Sequence, residues 1–429
     1  MVNEFATPQL DQLLCSVSKP VGCILDKALA DQEISVSDAL VLFQTRGLDL
    51  LALTATADEL RRRQVGERIT YVKVRNINFT NVCYTACKFC AFGRPEKDAE
   101  AYTFNLEEVV QQAVEAWNWG CTEICMQGGL NPKLGGDIYL RLVRAIKTAL
   151  PNLHLHAFSP FEIQYASQLT GKPPEYVLRE LKEAGLGSIP GTAAEILDTD
   201  IRQVLTKNKL SAAAWIEIIK TAHRVGLPST ATIMYGHVDA PHHWANHLAL
   251  IRQIQRETGG FTEFVPLGFI HQNTRLYTEG QARPGPTGPE HLKMHAVARL
   301  MLGQDIPNLQ VSWVKLGPAM SQMCLSAGAN DFGGTLINER ISRMAGATSG
   351  QYMPPEEFER LILDLGRIPA QRTTLYHILR EGQRHYNPAR PQTMRSFEAS
   401  QPIQSVMVTT QPCHFEAVGR EISGAPQQC

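Results

Sequence analysis

Short β-prone runs alternate with longer amphipathic helical runs through most of this 429-residue chain, and nothing else in it restricts the fold as strongly. The β-prone runs are Thr70–Asn76, Glu123–Gln127, Leu153–Phe158, Gly187–Ile189, Thr230–Tyr235, Glu263–Phe269, Gln310–Lys315 and, more weakly, Asp331–Thr335. Helical periodicity fills the gaps, at Leu106–Trp119, Ile138–Ala149, Pro174–Ala184, Ala212–Val225, His242–Glu257, Pro289–Leu302 and Pro355–Leu365. Asn105, with Glu107 and Glu108 in the first turn, is a well-formed helix start. Eight such units in succession predict an α/β fold, a parallel (β/α) barrel of the TIM type. A doubly wound open sheet is the alternative, weakened because no G-x-G-x-x-G turn follows the first strand.

The barrel is expected over residues 67–384. Residues 1–66 read as an N-terminal helical extension, with Ser37 as an N-cap. Residues 385–429 are rich in Pro, Gln, Ser and Thr and lack periodicity. They read as a polar C-terminal tail of disordered character, with Cys413 and Cys429 as free thiols. Basic and acidic residues nearly cancel, 41 against 42, which speaks against a nucleic-acid or anionic-membrane partner. The opening MVNEFATPQL does not read as a signal peptide, and no apolar run is long enough to span a bilayer. Ten cysteines in so long a chain do not make a disulfide scaffold, so a reducing cytoplasm is expected.

Three of those cysteines fall within eight residues, directly after the first strand: Cys83-Tyr-Thr-Ala-Cys87-Lys-Phe-Cys90. Three thiolates can bind three corners of a [4Fe-4S] cluster and leave one iron open, whereas electron-transfer clusters are usually closed by four protein ligands. A structural zinc site also wants four ligands. His154 or His156 could supply a fourth only from another element. The C-x3-C-x2-C spacing resembles that of the radical S-adenosylmethionine superfamily. The resemblance implies that Cys83, Cys87 and Cys90 hold the cluster, that S-adenosyl-L-methionine binds the open iron, and that Phe89 packs against its adenine.

In parallel barrels chemistry gathers at the carboxyl ends of the strands. The second strand ends in Gln127-Gly128-Gly129, where the superfamily resemblance implies backbone approach to the methionine part of the cofactor. The third ends in His154-Leu-His156 and continues to Ser159 and Glu162. Ser159 and Glu162 are candidates for the cofactor's ribose or amino group. His156 is either a substrate contact or a satisfied interior residue. Later strand ends offer Glu195, Tyr235, His237, His271, Gln272 and Lys315, a set suited to a polar substrate. His242, His243 and His247 sit at helical spacing and read as a solvated helix start rather than a metal site. Cys121 and Cys125 read as core positions on one strand face.

Longer stretches narrow the resemblance. They include Val74-Arg-Asn-Ile-Asn-Phe-Thr-Asn81, Ser188-Ile-Pro-Gly-Thr-Ala-Ala-Glu195, Met234-Tyr-Gly-His-Val-Asp239, Glu263-Phe-Val-Pro-Leu267, Phe269-Ile-His-Gln-Asn273, Ser312-Trp-Val-Lys-Leu-Gly317 and Ala329-Asn-Asp-Phe-Gly-Gly-Thr335. From about Thr70 to Leu379 the chain resembles the second subunit of deazaflavin synthases. That resemblance implies a transferase joining the 4-hydroxybenzyl group of L-tyrosine to 5-amino-6-(D-ribitylamino)uracil, with release of 2-iminoacetate. It also implies a separate first subunit that closes the third ring, and an electron donor. Glu263, His271 and Lys315 are the preferred substrate contacts. Gly268 departs from the family pattern, which usually has proline there, as does Phe92-Gly93-Arg94 after the cluster. The alternatives are a futalosine-branch radical enzyme of menaquinone synthesis and a non-catalytic iron–sulfur scaffold or electron carrier.

Overall fold

The computed structural model describes residues 7–383; the expected C-terminal tail lies outside them. Among the described residues nine strands are formed: β1 (Arg68–Val72), β2 (Val74–Ile77), β3 (Glu123–Met126), β4 (His154–Ala157), β5 (Ser229–Tyr235), β6 (Phe261–Gly268), β7 (Asp331–Gly334), β8 (Ile368–Arg372) and β9 (Ile378–Glu381).

Parallel pairing runs in a closed ring. β2 pairs with β3 and β3 with β4; single bridges join His156 to Ser188 and Ile189 to Ser229. β5 pairs with β6, Phe264 bridges Leu309, Gln310 bridges Asp331, and β7 returns to β1 and, through Ile337, to Arg75 of β2. This is the expected eight-stranded TIM-type barrel, with two of its staves reduced to a residue or two of pairing.

Two expected strands differ. The run Thr70–Asn76 is broken at Lys73, because its lower half pairs with β8 and its upper half with β3. The run Gln310–Lys315 leaves the sheet early. After Gln310 the chain turns into a short helix, Trp313–Leu316, pinned by the Trp313 indole donating to the Gly334 carbonyl at 2.8 Å. Lys315 therefore projects from a helical turn, not from a strand.

The β8–β9 hairpin was not foreseen. Its connecting turn reaches across the amino-terminal ends of the barrel strands. Arg372 pairs with Asp331 and, at 3.3 Å, with Glu263. The Tyr376 hydroxyl donates to Glu263, and Thr374 donates to Glu123 at 2.6 Å. Arg372 also stacks over the Tyr376 ring, 4.0 Å from its centroid. Arg372, Asp331, Glu263, Glu123 and Thr374 are buried, so each charge needs its partner there.

Helices Thr7–Leu14, Lys19–Leu29, Val36–Phe43 and Gly47–Val65 precede β1. Ser35, not Ser37, caps the third of these, because its hydroxyl accepts from Asp38 N while Asp38 accepts from Ser35 N. Asn105 caps Leu106–Asn118 in the same reciprocal way. Arg252 ties the extension to the barrel by donating to the Ile34 and Met301 carbonyls. His247 is buried, bonded to Leu197 N and the Thr232 carbonyl, so of the three histidines only His242 and His243 stand at the solvated start of the Pro241–Thr258 helix. Cys121 is buried just before β3, and of the pair only Cys125 lies in the strand. Among the described residues no helix is long and apolar enough to cross a membrane.

Candidate active site

A cavity of about 380 Å³ opens at the carboxyl ends of the strands. Cys83, Cys87 and Cys90 line one side of it, on a loop that follows β2 directly. The loop is held by backbone bonds to neighbouring strand ends: Gly129 N donates to Thr80 O at 2.8 Å, and Tyr84 N to Leu130 O at 3.2 Å. Close approach explains both glycines. A Cβ on Gly128 would lie 2.6 Å from the Phe79 ring, and one on Gly129 would lie 2.2 Å from the Val82 carbonyl oxygen.

The thiols suit a cluster. The Thr85 hydroxyl sits between two of them, 3.1 Å from Cys83 Sγ and 3.5 Å from Cys87 Sγ. Among the described residues no three His, Cys, Asp or Glu side chains converge tightly enough to hold a single metal ion. His154 and His156 both bond to the Ser188 hydroxyl, at 2.8 and 2.7 Å, and line no part of this cavity. Burial pushes the Cys90 thiol up, partly offset by the backbone N–H groups of Gly93 and Phe92 aimed at it.

Phe89, Gln127, Gly128, Gly129, Ser159, Glu162, Glu195 and Lys315 also line the cavity. Ser159 and Glu162 form the capping box of helix Pro160–Thr170. Glu162 additionally accepts from Gly128 N at 3.0 Å, joining the third strand's exit to the second's. Burial raises the Glu162 carboxyl to about 7, against the pull of those N–H donors. Phe158, Ala193 and Glu195 have left-handed backbones (φ 65°, 68° and 45°), a concentration of strained conformers beside the site.

The other expected contacts lie elsewhere. Glu263 is below the cavity in the Arg372 network, and burial lifts its carboxyl to about 7. His156 is buried and neutral, its pKa lowered to about 3 by desolvation. The Tyr235 hydroxyl bonds to His291 Nδ1 at 2.6 Å. His237 is closed off between the Met234 carbonyl and Val238 N. His271 packs on the Tyr277 ring, and Gln272 is exposed beside Gly346. None of these six lines the cavity. Gly268, the departure from the family pattern, is tight: a Cβ there would lie 2.9 Å from the His291 ring.

Sequence reasoning missed Lys209, Asn76 and Glu339. Lys209 donates to Glu195 and stands 4.8 Å from the Phe89 ring centroid. Burial opposes its charge, but Glu195 outweighs that and holds the ammonium above its usual value. Lys209 follows a short helix, Thr199–Leu205, so no strand end advertised it. Asn76 shares the inner face of β2 with Val74, a placement that alternation could have given.

A closed parallel barrel whose first strand delivers a C-x3-C-x2-C loop to the mouth defines a radical S-adenosylmethionine enzyme. Residues 77–251 match the radical SAM superfamily and residues 258–385 the CofH/MqnC C-terminal region. The chain is 51% identical over 353 residues to the 5-amino-6-(D-ribitylamino)uracil--L-tyrosine 4-hydroxyphenyl transferase of Methanothermobacter thermautotrophicus, covering 82% of this chain and 96% of that one. It is 50% identical over 352 residues to the transferase of the same name from Methanocaldococcus jannaschii, covering 81% and 98%. It is 52% identical over 340 residues to the FO synthase of Mycobacterium tuberculosis, but spans only 40% of that longer protein. In fold it is similar to methylornithine synthase (TM-score 0.63, 18% identity, 79% of this chain and 95% of that one). The hydrogenase maturase HydG of Carboxydothermus hydrogenoformans is also similar (TM-score 0.66, 15% identity, 86% and 84%). The chain belongs to the family of the 5-amino-6-(D-ribitylamino)uracil--L-tyrosine 4-hydroxyphenyl transferases. The superfamily works with a [4Fe-4S] cluster and S-adenosylmethionine.

Proposed function

We propose that this protein transfers the 4-hydroxybenzyl group of L-tyrosine to 5-amino-6-(D-ribitylamino)uracil, releasing 2-iminoacetate. The observation that carries the reading is one continuous cavity joining three thiols to the barrel interior, in a chain half identical to transferases of that name over nearly their whole length.

Cys83, Cys87 and Cys90 would hold three irons of the cluster. S-adenosylmethionine, bound at the fourth, supplies on one-electron reduction a carbon radical able to remove a hydrogen atom from tyrosine's amino group. The chain's own residues bind, orient and exclude water. Phe89 offers a ring for the adenine, and the Lys209–Glu195 pair fixes the polar wall beside it. Glu162 and the Gln127-Gly128-Gly129 strand end would meet the ribose and methionine parts, a reading supported by their place in the cavity lining. Lys315 brings a positive charge into the cavity with no hydrogen-bond partner among the described residues; burial lowers its pKa, so an anionic partner is favoured there. Met234, Leu267, Phe269, Val314 and Leu336 give the cavity apolar walls that limit water around a reactive radical. A separate subunit that closes the third ring, and an external one-electron donor, complete the reading.

The test is an anaerobic assay of the reconstituted protein with reductant, S-adenosylmethionine, L-tyrosine and the pyrimidine, followed by mass spectrometry. A benzyl adduct of the pyrimidine, formed together with 5′-deoxyadenosine, is expected. 5′-Deoxyadenosine without an adduct would mean that the substrates are wrong. Alanine at Cys83, Cys87 or Cys90 should remove the cluster's visible absorbance and all turnover; turnover that survives its loss would defeat the reading.

A further inference from the structure

Each of the three cluster thiols has a hydrogen-bonding group aimed at its sulfur. For Cys90 these are the backbone N–H groups of Gly93 and Phe92. The Thr85 hydroxyl stands between Cys83 and Cys87, but it has a single proton and Cys83 Sγ is the nearer, at 3.1 Å against 3.5 Å. Cys87 has a second hydroxyl of its own, that of Thr206, 3.3 Å from its sulfur. The groups facing Cys83 and Cys90 belong to the cysteine loop itself. Thr206 arrives from 119 positions further along the chain.

The local structure holds Thr206 against that loop. It directly follows helix Thr199–Leu205, and its N–H donates to the Arg202 carbonyl at 3.0 Å. The Leu205 carbonyl beside it accepts from Lys88 N at 3.0 Å, so the helix end meets the cysteine loop through two bonds. Arg202 closes the excursion by donating to the Ala193 and Leu210 carbonyls. The Thr206 side chain is buried, and its hydroxyl has no other hydrogen-bond partner among the described residues.

A ligating cysteine is a thiolate, which accepts and cannot donate, so the proton between Thr206 and Cys87 lies on the hydroxyl oxygen. One-electron reduction adds negative charge that spreads onto the cysteine sulfurs. A donor on such a sulfur holds the reduced state more strongly than the oxidised one. The charges nearby act in the same direction. Burial opposes the cations of Arg202 and Lys209, whereas Glu195 and Cys87 support them, and the excursion brings these two cations against the one carboxylate of Glu195.

We propose that Thr206 is a positioning residue for electron uptake, its hydroxyl donating to Cys87 Sγ and raising the reduction potential of the cluster held there. The step it biases is the transfer of one electron from the external one-electron donor to the cluster; no covalent bond forms or breaks and no proton moves. The inference rests on the three thiols holding the cluster and does not depend on which substrates follow.

The experiment is an anaerobic redox titration of the reconstituted protein without S-adenosylmethionine or substrates, reading the electron paramagnetic resonance of the reduced cluster. Thr206→Val keeps the shape and removes the hydroxyl. It should be about three- to tenfold harder to reduce, a midpoint ~30–60 mV more negative for a one-electron couple. Thr206→Ser restores the hydroxyl and should return the midpoint to the wild-type value. An unchanged midpoint in Thr206→Val overturns the proposal. So does a Thr206→Ser variant shifted as far as Thr206→Val, which would assign the effect to packing. Should Thr206→Val take up no cluster, the smaller Thr206→Ala is read in the same way; loss of the cluster from both would make Thr206 a structural residue and overturn the proposal. No turnover enters the measurement, so failure of the transferase reading leaves its result standing.

Discussion

At the scale of single residues, Glu162 does two jobs with one carboxylate. It closes the capping box of its helix and fastens Gly128, so the second and third strand ends move as one. The cost is a buried carboxyl whose pKa rises from 4.5 to about 7. Between those values the folded protein keeps a proton that the unfolded chain releases. Stability should therefore fall as pH rises through that window and level off above it, by about 3 kcal/mol for this group alone. Glu162→Gln, which can still complete the box, should flatten its share of the slope in urea titrations at several pH values and leave that of Glu263. An unchanged slope would show that this carboxyl is not the titrating group. Much at this scale was legible because spacing expresses it: the thiol loop, the Gly-Gly strand end and the Ser159–Glu162 box are local patterns. Lys209 and Asn76 were missed for different reasons. Lys209 meets Glu195 across fourteen residues of irregular chain, and Asn76 looks like an ordinary strand residue until its missing partner is seen.

At the scale of elements, the hairpin of β8 and β9 matters as much as any barrel strand. Alternation announced the eight staves because each is a buried run beside a helix. It could not announce β9, every residue of which is exposed, nor a hairpin whose value lies in side chains donated to distant strands. The same blindness explains Glu263. Polar and near a family motif, it looked like a substrate contact, but its partners Arg372 and Tyr376 arrive from more than a hundred residues further on. Arg372→Met should leave Asp331 and Glu263 buried without their cation and destabilise the protein by about 3–5 kcal/mol, read from chemical denaturation. Adding Glu263→Gln should recover part of the loss. A single variant as stable as the parent would mean that the network contributes nothing.

At the scale of the whole molecule, the barrel carries its thiol loop at one end and the Arg372 hairpin across the other. Among the described residues the hairpin network covers the end away from the thiols, so traffic enters at the thiol end and must queue. With the cofactor at the thiols, a substrate seated deeper in the barrel has to arrive first and leave last. Initial-rate and product-inhibition patterns should then show compulsory order, with a substrate preceding S-adenosylmethionine; random order would mean that the two do not share a single passage. Sealing the floor thus sets a timetable: whatever is to meet the cofactor must already be behind it.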